Sequence, residues 1–254
     1  MPELPEVETI RRQLAPAIAG RRIESVRVLD ERWTRPVPPR EVERALEGRR
    51  IEAVERRGKY LVMRLEGGQR LLFTDARRFG HAVVLGDDEL EAYFAARLGV
   101  EPLSEELTGE RIASLAAGRR APLKSFLLNQ LGIAGLGNIY ADEALFRAEL
   151  HPLSPAGSLK PIDCERLRLG IVEALAAGLR TGGASVDDYL DARGERGAMQ
   201  EEFLVHTREG KPCLRCGAEI RRIVVAGRSA YFCPGCQRRL RRRPRRRGRA
   251  RAAV

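Results

Sequence analysis

The sequence predicts an α+β protein with separate domains, not a doubly wound sheet. Three observations carry this expectation. Short strand-like runs crowd residues 23–85, helical periodicity dominates residues 90–192, and the two patterns do not alternate as parallel βαβ units require. Two C-x₂-C pairs beyond the helical half mark a third, small unit.

In chain order, residues 2–18 read as a helix. Pro5 suits a first turn, Val7, Ile10, Leu14 and Ile18 recur at helical spacing, and Gly20 is a natural stop. Strands are expected over 23–29, 51–54, 60–65, 71–74 and 81–85, with Gly67 and Gly68 as a hairpin turn. A helix at 90–98 leads into a linking stretch near 99–109. Further helices are expected over 112–117, 123–131, 139–149, 164–179 and 186–192. There is no internal repeat.

A chain of 254 residues suffices for one large domain or two to three small ones. No run approaches the roughly 18 apolar residues of a membrane helix, so no membrane partner is expected. The start of the chain lacks the basic and apolar regions of an export signal, which points to the cytoplasm. The net charge of +11 is local: residues 238–254 hold ten arginines and no acid, and the rest carries 36 basic against 35 acidic side chains. Such an arm is expected to be disordered and to attract polyanions, nucleic acid first. A merely solvated tail is the alternative.

Cys213, Cys216, Cys233 and Cys236 form two C-x₂-C pairs separated by 16 residues, the spacing of a four-cysteine zinc site. The intervening stretch accommodates a hairpin, with strands at 220–225 and 229–232 and a turn at 226–228. So short a unit cannot bury a core of its own, so one Zn²⁺ would hold it folded. A disulfide pair is the competing reading, disfavoured by the absent export signal. With all four positions filled the metal is structural, and the chemistry must lie elsewhere. Cys164, the fifth cysteine, reads as a core thiol.

The opening Met1-Pro2-Glu3-Leu4-Pro5-Glu6-Val7-Glu8-Thr9 is the most distinctive stretch. Trimming of Met1 would leave Pro2 with a free secondary amine. An α-amino group titrates at about 7.7–8.0, so a useful fraction is neutral near pH 7 and able to attack a sugar carbon. Glu3 beside it could move a proton. Taken alone, the same residues are also simply a stiff lead into a helix.

Four further segments follow in order: Arg57-Gly58-Lys59-Tyr60, Thr74-Asp75-Ala76-Arg77-Arg78-Phe79-Gly80, Gly135-Leu136-Gly137-Asn138-Ile139-Tyr140-Ala141-Asp142-Glu143, and the four-cysteine unit. Together with the opening they resemble the formamidopyrimidine-DNA glycosylase family, whose sister branch is endonuclease VIII. The resemblance runs from Pro2 to Gln237, and Leu4 favours the purine branch.

The resemblance implies a fold and a set of roles. The fold would be an N-terminal β-sandwich with a leading helix over residues 1–100, a helix–two-turn–helix domain over 109–208, a zinc-finger hairpin over 209–237 and the tail over 238–254. Pro2 would be the Schiff-base nucleophile, Glu3 the proton donor to the sugar, and Lys59 an aid to base loss and β-elimination. Arg228 would grip the lesion phosphate and support δ-elimination. Lys124, Asn138 and Arg119 would bind the DNA backbone, with backbone N–H groups of the segment 124–143 facing a phosphate. Arg77 and Phe79 would fill the gap left by an extruded base. The implied partner is damaged double-stranded DNA, met by a monomer. The implied activity is excision of oxidised purines followed by strand nicking.

Three departures bear on these expectations. Only 18 positions separate Lys59 from Arg77, roughly thirty fewer than in relatives, which implies the loss of about two sandwich strands, a third wedge residue and a DNA-contacting histidine. His206-Thr207-Arg208 stands where relatives usually carry Tyr-Gly-Arg. The region 182–202, which resembles a lesion-recognition loop, has Gly197-Ala198-Met199 where an aromatic is common. The alternatives are an enzyme acting on oxidised pyrimidines and a non-catalytic DNA-binding protein.

Overall fold

The computed structural model describes residues 2–74, 80–186 and 188–241. Its elements run α1 (Leu4–Ile18), α2 (Pro39–Leu46), β1 (Ile51–Arg57), β2 (Tyr60–Leu65), β3 (Gln69–Phe73), β4 (Ala82–Gly86), α3 (Asp87–Ala95), α4 (Gly109–Ala116), α5 (Leu123–Leu128), α6 (Asn138–Arg147), α7 (Pro161–Arg180), β5 (Arg221–Val225) and β6 (Arg228–Phe232). The α+β organisation expected from the sequence is present.

Strands β1 to β4 form one antiparallel meander in sequence order, with Gly67 and Gly68 at the β2–β3 turn. Side chains alternate across it, as pleating requires. Val54, Leu61, Leu65 and Leu71 face α1 and α2, where they pack with Val7, Val42 and Leu46. Val62 and Leu72 face the other way, onto Leu90 and Phe94 of α3. Among the described residues the sandwich therefore reduces to a single sheet, and helices cover both its faces.

Three local expectations need correction. Residues 23–29 are extended but join no sheet, because the amides of Val26 and Val28 donate to the carboxylates of Glu47 (3.1 Å) and Glu43 (2.8 Å), on and just after α2. Helix α2 itself is unanticipated, since it shows only Val42 and Leu46 as an apolar stripe. No helix forms at 186–192 among the described residues. The Asp191 carboxylate instead accepts from the amides of Arg193 and Glu195, both at 2.9 Å, and this side-chain turn overrides the helical spacing.

The largest core lies in the helical half, where α4, α5, α6 and α7 pack around Ile112, Leu123, Leu136, Tyr140, Leu167 and Ile171. Leu4, at the start of α1, is fully buried in that same core. Its amide donates to the Gly135 carbonyl at 3.0 Å. Gly135 has φ +80°, and a Cβ there would sit 2.8 Å from Leu4 Cδ1, so glycine is needed both for the turn and for the approach. One leucine thus joins the sheet layer to the helical layer. The β5–β6 hairpin rests on Phe146 and Val205 through Cys213, Ile220 and Cys233.

Candidate active site

Helix α6 begins beneath the start of α1. Glu3 is 3% exposed, and its carboxylate accepts from the backbone amides of Gly137 (2.7 Å), Ile139 (2.8 Å) and Tyr140 (3.2 Å). These are the donors that an isolated helix N-terminus leaves unmade. In this structure they hold a side chain, where the sequence suggested a phosphate. A Cβ on Gly137 would lie 2.4 Å from Glu3 Cδ, so residue 137 must lack a side chain for the carboxylate to seat.

Glu6 lies one turn along α1, 2% exposed. It accepts from the Glu3 amide, the Tyr140 hydroxyl and the Ala184 amide, each at 2.8 Å. Burial, and then the neighbouring Glu3 carboxylate, push its pKa from 4.5 up to about 7. Glu6 therefore ties the chain start to the segment 182–202.

Lys59 sits in the tight β1–β2 turn. Arg56 fixes that turn by donating to the Gly58 carbonyl at 2.7 Å and pairing with Glu8 (3.3 Å) and Glu101 (3.1 Å). Glu101 also accepts from the Gly58 amide. Arg228 is exposed at the first position of β6, just past the hairpin turn. Glu3, Lys59, Asn138 and Arg228 come together on one cleft of about 300 Å³, together with Glu6 and His206. Four candidates from distant parts of the chain thus line one cleft. The side-chain oxygen of Asn138 is buried there without a protein partner.

Other candidates lie elsewhere. Pro2 is buried next to Glu3 but is not among the residues lining the cleft. Arg119 is exposed near residue 157, away from the cleft, with its carbonyl accepting from the Gly157 amide at 2.9 Å. Arg77 and Phe79 lie outside the described residues.

Lys124 departs from its expected role as a backbone contact. It is 0% exposed, and its ammonium lies 2.7 Å from Asp142 Oδ1 and donates to the Asn138 carbonyl at 2.6 Å. Burial lowers its pKa, against the opposing pull of Asp142. The group has no surface left for a phosphate and instead braces the first residue of α6. Asp142 in turn accepts from or pairs with His206 Nδ1 at 2.9 Å. Neighbouring Glu143, also fully buried, accepts from the amides of Leu204, Val205 and His206. Sequence reasoning missed Glu6, Asp142 and Glu143 as organisers of the site. Their available signal was the placing of acids on the apolar faces of α1 and α6.

The four cysteine sulfurs lie within 4.8 Å of one another, with Cys213 and Cys236 at 3.9 Å and Cys216 and Cys233 at 3.4 Å. A disulfide needs about 2.05 Å, whereas a tetrahedral zinc with bonds of about 2.3 Å holds its sulfurs about 3.8 Å apart. The amides of Arg215 and Cys236 point at the sulfurs of Cys213 and Cys233, each at 3.4 Å. The donor set fits one structural Zn²⁺ with no open position. Its contribution is to fix the hairpin that carries Arg228.

Comparison with known proteins agrees with this geometry. Residues 1–74 match the formamidopyrimidine-DNA glycosylase N-terminal domain, 98–189 the H2TH domain of the same family, and 210–239 a zinc finger found in FPG and IleRS. The formamidopyrimidine-DNA glycosylase of Chloroflexus aurantiacus is 40% identical over 274 aligned positions, covering 93% of this chain and 98% of the relative. That alignment is longer than this chain's 254 residues, so the relative has positions without a counterpart here. The crystal structure of the MutM (Fpg) protein from Thermus thermophilus superposes with a TM-score of 0.83 at 39% identity, covering 93% and 98% of the two chains. A Lactococcus lactis Fpg in complex with abasic-site-containing DNA gives 0.85 at 33% identity, covering 93% and 100%. The chain belongs to the formamidopyrimidine-DNA glycosylase family, DNA glycosylases with AP-lyase activity in base excision repair.

Proposed function

We propose that this chain acts as a monomer in the bacterial cytoplasm on damaged double-stranded DNA. It excises 8-oxoguanine and formamidopyrimidines and then nicks the strand by β,δ-elimination through a Schiff base on Pro2. The observation that carries the reading is the meeting of Glu3, Lys59, Asn138 and Arg228 on one cleft.

The target nucleotide must leave the base stack before its sugar can enter such a cleft. With Met1 removed, the neutral Pro2 nitrogen attacks C1′ as the glycosidic bond breaks, and the base departs with a proton. Glu3, held at the start of α6, protonates the ring oxygen as the sugar opens to an iminium. Loss of a C2′ proton, which Lys59 assists, expels the 3′ phosphate. Loss of a C4′ proton then expels the 5′ phosphate, with Arg228 neutralising the leaving group. Zinc takes no part in these bond changes.

Borohydride reduction during turnover of an 8-oxoguanine duplex should fix a covalent protein–DNA adduct, and Pro2→Gly should abolish it. A parallel thymine glycol duplex separates the purine reading from the pyrimidine one. Absence of an adduct with any lesion or abasic duplex would overturn the proposal.

A further inference from the structure

Helix α1 makes a second set of contacts that the reaction does not use. Gln13 follows Glu6 by two turns on the same face of the helix. Its carboxamide reaches across 178 positions of sequence to Asp191, where Nε2 donates to Oδ2 at 2.5 Å. Its Oε1 accepts from the Ala192 amide at 2.9 Å. Both ends of one side-chain amide are matched, which fixes the way it faces. Asp191 Oδ1 accepts from the amides of Arg193 and Glu195, both at 2.9 Å, so the carboxylate that Gln13 grips also shapes the turn. Burial pushes the Asp191 pKa up, but the Gln13 amide and the backbone amides outweigh it and hold the group below its usual range.

The chain held in this way supplies part of the cleft, which Ala184 and Val186 line. Their apolar side chains offer a phosphate nothing and suit the flat face of an extruded base. Ser185, 2% exposed, bonds this stretch to itself. Its hydroxyl donates to the Tyr189 carbonyl at 2.8 Å and accepts from the Gly197 amide at 2.9 Å, and its own amide donates to Gln200 Oε1 at 2.9 Å. These bonds make the stretch one unit, and α1 holds that unit at two places. At the first, Glu6 accepts the Ala184 amide at 2.8 Å, and the Tyr189 hydroxyl donates to the Glu6 carbonyl at 3.3 Å. At the second stands Gln13, which does not line the cleft. Pro2 and Glu3 precede the same helix, so one element carries both the nucleophile and the mount of the apolar lining.

We propose that Gln13 is a positioning residue for base excision. Its paired hydrogen bonds to Asp191 and Ala192 set where residues 189–192 stand on α1 and, through the Ser185–Tyr189 bond, how an extruded base seats against Ala184 and Val186 as Pro2 meets C1′. Its effect falls on excision and not on strand nicking, because an abasic sugar has no base to seat. The inference rests on the functional reading above and adds to it a determinant of base fit that lies outside the cleft.

The test compares two duplexes under single-turnover conditions. One carries 8-oxoguanine, or thymine glycol if that is the base the wild type removes, and the other a true abasic site. Gln13→Ala should slow excision by about tenfold or more, the cost of a small misplacement at the reacting centre. Nicking of the abasic duplex by the same preparation should match wild type, which also shows that the variant is folded. Gln13→Glu sets two carboxylates against each other and should slow excision likewise. Adding Asp191→Asn to that variant should restore it, because an amide and a carboxylate meet again with their places exchanged and every backbone amide keeps its acceptor. Unchanged excision in Gln13→Ala overturns the proposal. Equal loss of excision and nicking does so too, since it makes Gln13 a general brace of the fold, as does an exchanged pair that stays slow in excision. Wild-type protein inactive on every one of these duplexes removes the underlying functional reading instead.

Discussion

Burying a carboxylic acid beside another carboxylate penalises its charged form twice, by lost hydration and by repulsion. Glu6 meets both conditions, and its pKa of about 7 makes it a titrating group at the centre of the site. Because the folded value lies above the ordinary 4.5, the native state holds this proton more tightly than the unfolded chain does. The stability it contributes is complete below about pH 4.5 and is lost as pH rises through about 7. A shift from 4.5 to about 7 corresponds to on the order of 3 kcal/mol. Urea unfolding across this range should therefore show wild type losing ground to Glu6→Gln as pH rises, with the gap growing by about that amount. Parallel pH profiles would mean that Glu6 titrates normally. The acid was hidden from sequence reasoning because Pro-Glu-Leu-Pro-Glu-Val-Glu reads as a polar lead into a helix. Only the docking of Leu4 into the helical core buries it.

Elements with strong local chemistry were legible from the sequence alone. The β2–β3 hairpin announces itself through two strand-like runs around Gly67 and Gly68. The zinc hairpin does so through cysteine spacing, its strands displaced by one residue at most from expectation. Elements decided by side chains from elsewhere were not legible. Residues 23–29 lose their strand to the acids of α2 and its flank, and the described residues within 186–192 lose their helix to Asp191. The zinc hairpin also permits a test at this scale. Its small core, Ile220 with Cys213, Cys233, Val205 and Phe146, is too slight to hold without the metal. Removing zinc with a strong chelator should release one ion per chain and weaken duplex binding at least tenfold, through loss of the Arg228 platform. The α-helical circular dichroism should persist, because the α4–α7 core shares no cysteine ligand. Simultaneous collapse of the helical signal would show that the hairpin is not a separable unit.

Across the whole molecule, the cleft assembles from residues 3, 6, 59, 138, 206 and 228, which only the packing of three layers brings together. The candidate residues were legible one by one through motif resemblance, but their grouping was not, and Lys124 shows the cost. A lysine in a DNA-binding segment looks like a phosphate ligand until burial pairs it with Asp142. The positive charge of the molecule is likewise not where its chemistry is. Nearly all the excess lies beyond Gln237, and the chain is stitched down as far as residue 240. The Leu240 amide donates to Ser154 at 2.9 Å, the Arg238 carbonyl accepts from His151 at 3.0 Å, and the Arg238 guanidinium pairs with Asp163. Seven arginines follow Arg241. Each that neutralises a phosphate releases counterions and steepens the salt dependence of binding by about 0.9 in the log–log slope. Ending the chain after Arg241 should therefore flatten that slope by up to about 6 and weaken binding to undamaged duplex most at low salt. Base excision at saturating DNA should be retained, because no cleft residue is removed. Titrations of full-length and shortened protein from 50 to 200 mM salt measure this directly. Equal slopes would show that the arm does not touch DNA and that recognition belongs wholly to the nearly neutral body.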